Sequence, residues 1–249
     1  MGLLDKWNQF NDNRRVKKVQ RATKYVKNPK AIKEDRWASL EYLSKSVNDP
    51  SQAVEALLNR FEYSLEHGIN DSREKEIALS GIVRHGKDAI PFLEKWLKHT
   101  SRIAWPIKAI KSIADEKVVV NCLVSTLDFE DVSFDQAAVE KNYDILCYLV
   151  DYKLGDFTSK LVHFLKDPDE RVRFAAVEAI LEQDVNEEIR ASLEPFLFDD
   201  SSENRRLKQA IANAFVTNNW KVGSPEKYQD GILSEGLNVD ASGQVSFRV

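Results

Sequence analysis

The sequence predicts an all-α fold: an α-solenoid of stacked helix pairs that ends in a short irregular or β tail. Three observations predict it. Gly and Pro are scarce, 9 and 7 in 249 residues, which leaves few turn signals for a chain of short strands. The stretch Leu165 to Gln183, LKDPDERVRFAAVEAILEQ, opens on an Asp-Pro turn and then places Val172, Ala175, Ala176, Ala179 and Ile180 on one helical face. That face is narrow and lined by small residues, so a helix carrying it needs close neighbours on both sides. The same pattern recurs along the chain at near-constant spacing, as in a helical repeat.

The elements follow in order. Residues 1–30 form a basic amphipathic arm. Leu3, Leu4, Trp7 and Phe10 share one face of its opening turns. A basic run follows, Arg14, Arg15, Lys17, Lys18, Arg21, Lys24, Lys27 and Lys30, with no acid between Asp12 and Glu34. Val16, Val19, Thr23 and Val26 keep helical spacing within it, and Asn28-Pro29 ends the helix.

Residues 31–220 read as about five helix pairs. The second helices align on Ala78, Ala109, Tyr143, Ala176 and Ile211, in steps of 31, 34, 33 and 35 residues. The Tyr143 copy departs most, because Asn142 and Tyr143 replace small residues. An earlier copy is DRWASLEYL, Asp35 to Leu43, where Arg36-Trp37-Ala38-Ser39 matches Arg173-Phe174-Ala175-Ala176. First helices are expected near 51–66, 87–98, 115–128, 156–166 and 186–198. Breakers such as Asp49-Pro50, His67-Gly68, Gly86, Gly155 and Asp167-Pro168 separate them. Pro91 fits a first turn. Pro106 and Pro195 fall inside apolar periods, where an interior proline costs about 3 kcal/mol, so a shifted boundary or a kink is expected. Residues 221–249 lose the helical period. LNVDASGQVSFRV suggests two short strands around Asp240 to Gly243, either docked on the body, added to a partner's sheet edge, or mobile.

Composition narrows the function classes. Residues 1–33 hold ten Lys/Arg against two Asp, a net +8; the remainder, with 26 basic and 38 acidic residues, is −12. A basic arm thus precedes an acidic body, which disfavours nucleic acid as a partner, since phosphate binding needs clustered Lys and Arg. No apolar run is long enough to span a bilayer, and MGLLDKWNQF lacks the apolar core of a signal peptide. Cys122 and Cys147 sit in apolar helical contexts and read as buried reduced thiols, which suits a cytoplasmic location. His67, His85, His99 and His163 are scattered, none in metal-ligand spacing, and no phosphate loop or nucleophile motif occurs. No metal, cofactor or catalytic residue is expected, and the chain is not expected to be an enzyme.

The segment Asp167 to Ile180, DPDERVRFAAVEAI, resembles the second helix of HEAT repeats of the bacterial type, also found in phycobilin lyase subunits. The resemblance rests on the Asp-Pro turn, the Val172-Arg173 pair and the Ala-Ala followed by Ala-Ile. It implies an armadillo-like α-solenoid with second helices on the concave side, and a role as scaffold or adaptor. A fold decides no function by itself, so an enzyme or nucleic-acid-binding member of the class is the alternative, like an alkylpurine DNA glycosylase or a phycobilin lyase. The acidic body and the dispersed Trp residues argue against the glycosylase.

The expected function is therefore non-catalytic: a cytoplasmic scaffold or adaptor that binds a protein through its concave face and termini. On that face the register places Trp37, Arg171, Phe174, Glu178, Arg205, Gln209 and Asn213. An aromatic beside Arg has the composition of an interface hot spot, whereas Arg173 is expected to make an internal ladder to an Asp of the neighbouring turn. Leu3, Leu4, Trp7 and Phe10 are expected to cap the first repeat or dock a partner, with an anionic membrane surface or an acidic partner for the basic arm as the other reading.

Overall fold

The fold is all-α, with one small β hairpin. The computed structural model describes residues 3–130, 134–199, 201, 204–228 and 236–247, without the side chains of 3–6, 8, 11, 227 and 228. It divides into two compact units, Met1–Cys122 and Leu123–Val249.

The first unit is a two-layer stack. Its helices are α1 (Leu3–Val26), α2 (Lys33–Ser46), α3 (Pro50–Leu58), α4 (Gly68–Val83), α5 (Ile90–Leu97) and α6 (Ala104–Ile113). α2, α4 and α6 pack in a row, and α1, α3 and α5 form the row behind it. Thus α1 is the first helix of an opening pair with α2. Val19, Ala22 and Val26, spaced three and four apart, are its buried stripe. Asp49 caps α3 by accepting from Ser51 N–H, with Pro50 in the first turn. Pro106 sits in the first turn of α6, so the helix starts late, as the cost of an interior proline requires.

The close approach of α2 and α4 depends on Gly81. A Cβ there would lie 2.5 Å from Ser44 Oγ and 2.8 Å from Ser44 Cα. Ser44 Oγ also donates to Ile77 O at 3.0 Å, so the two helices touch through small groups.

A buried ion network ties the unit together. Glu74 lies wholly buried in α4 and accepts from Arg36 in bidentate fashion, Nε to Oε2 at 2.8 Å and Nη2 to Oε1 at 2.9 Å. Arg60, also wholly buried, donates from Nε to Glu74 Oε2 at 2.7 Å and from Nη2 to Asp71 Oδ1 at 2.7 Å. Lys75 pairs with Asp71 at 2.7 Å. Burial alone would push the Asp71 carboxyl up, but hydrogen bonds from Lys75, Arg60 and the Leu65 N–H hold it below the usual carboxylate range.

The second unit repeats the arrangement with α8 (Gln136–Leu149), α9 (Thr158–Leu161), α10 (Glu170–Leu181), α11 (Glu187–Leu193) and α12 (Arg205–Thr217). α7 (Glu116–Thr126) straddles the division. α8, α10 and α12 are neighbours in one row. α9 and α11 run on as tight 3-10 turns, Val162–Lys166 and Glu194–Phe198, and Pro195 lies in the latter. Asp135, Asp169 and Asn186 cap α8, α10 and α11. Within α8 the buried positions are Val139, Asn142, Ile145, Leu146 and Leu149. The expected register at Tyr143 therefore needs correction: its phenol is too large for the slot that Ala176 fills in α10, and it turns outward to a half-buried site. Asn142 faces inward instead and pairs with the backbone of Asp128, accepting from its N–H and donating to its C=O, each at 2.9 Å.

The tail folds back on its own body. β1 (Leu237–Val239) pairs antiparallel with β2 (Val245–Phe247), Asn238 opposite Ser246, and β2 packs on α12. Gly243 makes the turn at φ +83°, and a Cβ there would meet Val222 O at 2.8 Å. Leu237, Val239 and Val245 of the hairpin are buried, as is Val222.

Three outcomes are expected. Glu74→Gln leaves the buried Arg36 without a counter-ion and Arg60 with Asp71 alone, and should destabilise the first unit by about 3–5 kcal/mol in urea unfolding followed by tryptophan fluorescence. Gly81→Ala gains about 1 kcal/mol of helix propensity but forces backbone apart, for a net loss of about 1–3 kcal/mol by the same measurement. Because folding lowers the Asp71 pKa, its contribution is complete above the unfolded value of about 4 and is lost as pH falls through the folded value. The urea midpoint should therefore drop on acidification below about pH 4, with a shallower slope in Asp71→Asn.

Candidate protein-binding face

The outer surface of the second helices gathers most of the predicted site residues, separately in each unit. In the first unit the close approach at Gly81 leaves a groove of about 690 Å³ between α2 and α4. Trp37, Glu41 and Lys45 line it from α2; Arg73, Glu76, Ile77 and Ser80 line it from α4, with Arg84 just beyond the helix end. Trp37 is half-buried, so its indole forms part of a wall rather than filling the core. Lys45 pairs with Glu41 one turn earlier. Arg84 is fixed at the groove's end by donating to Val47 O at 2.6 Å and Asn48 Oδ1 at 3.2 Å. The charges are mixed and lie around an aromatic.

In the second unit the same face carries a chain of contacts across three helices. Arg171 is exposed and forms ion pairs with Glu140 of α8 and Asp169 of its own cap, both at 2.9 Å, while its guanidinium stands 5.5 Å from the Tyr143 ring. Phe174 is half-buried beneath Arg206 of α12, 4.3 Å from ring to guanidinium. Gln209 donates to Asn213 at 3.3 Å one turn on. Glu178 and Arg205 are exposed beside them. Sequence reading thus placed Arg171, Phe174, Glu178, Arg205, Gln209 and Asn213 on one surface, but missed Glu140, Tyr143 and the groove residues Arg73, Glu76 and Arg84. Arg73 and Arg171 lie at equivalent repeat positions, a signal the alignment already contained.

Arg173 lies inside. Its Nη1 donates to Asp167 O at 2.8 Å and Pro168 O at 2.9 Å, and its Nε to Asn204 Oδ1 at 2.9 Å. The ladder expected to end on an Asp of the neighbouring turn ends instead on Asn204, which in turn donates to Asp199.

The N-terminal residues divide. Val19, Ala22 and Val26 cover α2 and α3, whereas Trp7 and Phe10 are 64% and 58% exposed and take no part in that covering. The side chains of Leu3 and Leu4 lie outside the described residues. A larger concavity of about 870 Å³ lies among α1, α3 and α5, with Val19, Ala56, Phe92 and Trp96 in its lining and Lys24, Lys27, Lys95 and His99 around them. Among the described residues Trp96 Nε1 has no hydrogen-bond partner.

The cysteines differ from each other. Cys122 is buried and donates to Glu94 Oε1 at 3.1 Å; burial first, and that carboxylate second, push its thiol up to about 12. Cys147 is exposed on the outer side of α8, which corrects the expectation of two buried thiols: the four inward slots of its last two turns go to Asn142, Ile145, Leu146 and Leu149. Partial desolvation still raises the Cys147 pKa, so both thiols are protonated at neutral pH.

No described helix is long and apolar enough to cross a membrane. Comparison of the chain with protein-family models, with curated proteins and with solved structures finds no match.

Proposed function

We propose that this chain is a non-catalytic scaffold of HEAT-like helix pairs that binds a protein partner along its second helices. One observation carries the reading: a half-buried Trp37 walls a groove with mixed charge, Glu41 and Glu76 against Lys45, Arg73 and Arg84. Aromatic and Arg groups together are the usual anchors of a protein interface. A phosphate-binding groove needs basic residues without interspersed acids. The Phe174–Arg206 stack supplies a comparable anchor in the second unit. The protonated state of Cys147 gives the exposed thiol little nucleophilic character. Its exposure without a disulfide suits a reducing, cytoplasmic compartment.

Trp37→Ala or Phe174→Ala in the full chain should each weaken partner binding by about 2 kcal/mol, roughly 30-fold. Helical circular dichroism should stay unchanged. Quantitative affinity purification from the native cell checks this, and an identical set of captured proteins for wild type and both variants would remove the face from consideration.

A further inference from the structure

We propose that α1 is an interfacial helix that seats this protein on an anionic lipid surface, with Trp7 and Phe10 entering the headgroup region. The inference uses a different surface from the second-helix face, so either can fail alone. Trp7, Phe10, Arg14, Lys17, Arg21 and Lys24 are spaced alternately three and four residues apart and so form one continuous stripe along the helix. At 100° per residue that stripe lies roughly 145° around the helix from the stripe of Val19, Ala22 and Val26 buried against α2 and α3. From Trp7 to Arg21 it therefore looks away from the body of the first unit, where a flat surface can reach it, while Lys24 stands at the rim of the concavity among α1, α3 and α5.

The stripe is apolar at its start and basic beyond. Trp7 and Phe10 are the leading aromatics, and Arg14 stands 5.7 Å from the Phe10 ring. Every basic side chain of α1 from Arg14 onward is exposed, and among the described residues none of them forms an ion pair, although the rest of the chain is strongly acidic. Lys18 instead lies over the Tyr42 ring at 4.0 Å, and Arg21 donates to Tyr25 Oη of its own helix at 3.4 Å. A convex single helix offers no pocket for a protein hot spot, and its uninterrupted positive charge sets no register. A fluid anionic bilayer needs neither, and it accepts aromatic side chains beside basic ones at its interface. A second copy of α1 is disfavoured because like charge would face like charge.

The test is co-sedimentation of the full chain with sucrose-loaded vesicles of phosphatidylcholine, with and without about 30 mol % phosphatidylserine. The expected result is partition onto the anionic vesicles only, lost at about 0.5 M salt. The double variant Trp7→Ser, Phe10→Ser should bind at least roughly tenfold more weakly. Lys17→Gln and Arg21→Gln should each weaken binding about fivefold. All these side chains are exposed, so the variants should keep wild-type helical content. Absence of binding to anionic vesicles, or equal binding by wild type and the double variant, overturns the proposal. So does binding to polyglutamate in the absence of vesicle binding, which would assign the arm to an acidic protein.

Discussion

The first unit depends on the burial of Glu74 between two arginines. Placing a carboxylate and two guanidinium groups out of water costs several kcal/mol per ion, and attraction offsets this only when the geometry is good and the remaining protons find acceptors. Here they do. Arg36 Nη1 reaches Ala31 O at 2.7 Å, and Arg60 Nη1 reaches Tyr63 O at 3.0 Å. Tyr63 Oη donates to Val26 O at 2.7 Å, which satisfies a carbonyl that the end of α1 leaves open. One network therefore fixes α2, α4 and the segment after α3, and it also holds the C-terminus of α1. The direction in which α1 leaves the body, and with it the aim of Trp7 and Phe10, is set by a network that meets the helix at Val26, roughly four turns or more away from them.

The same device recurs. Arg36 and Arg173 occupy equivalent positions; each holds the carbonyls of the proline turn before its own helix and reaches forward, to Glu74 or to Asn204. Lys75 and Lys208 are buried at the same position of α4 and α12. The series is interrupted at Pro106 and, in the corrected register of α8, at Val139, which flank the division between the units at Cys122 and Leu123. Proline has no donor to reach back with, and Val139 is an apolar core residue. Arg36 and Arg173 brace successive layers in this way, whereas Lys75 pairs within its own helix, with Asp71.

The helices were legible because their causes are local. Caps, breakers and the small-residue stripe lie within a turn or two of what they determine, so the starts at Pro50 and at Glu170 follow from Asp49 and Asp169. Phe174 and Trp37 were legible as counterparts because the register carries over between repeats. The buried network was not. Glu74 and Lys75 stand in the apolar stripe of α4, yet only their pairing with Arg36 and Arg60, distant in sequence, makes that burial tolerable. Nor was the docking of Val19, Ala22 and Val26 distinguishable from that of Leu3, Leu4, Trp7 and Phe10, since two apolar stripes on one helix have the same spacing whichever one meets the body.

The composition of α1 carries a cost that its packing only partly offsets. Arg14, Arg15, Lys17, Lys18, Arg21 and Lys24 give six like-charge pairs at three- or four-residue spacing, each unfavourable by about 0.2–0.5 kcal/mol. The C-terminal half withstands this repulsion because Val19, Ala22 and Val26 are buried. The half that holds Trp7 and Phe10 has no such support within the described chain. A helix assembled this way is stabilised further by whatever supplies negative charge along its outer stripe and an apolar environment at its tip. That supply is greatest at an anionic interface, where screening of the basic run and burial of the two aromatics act on the same face. If α1 meets such a surface as proposed, its self-repulsion makes the arm responsive, because contact raises the stability of the helix.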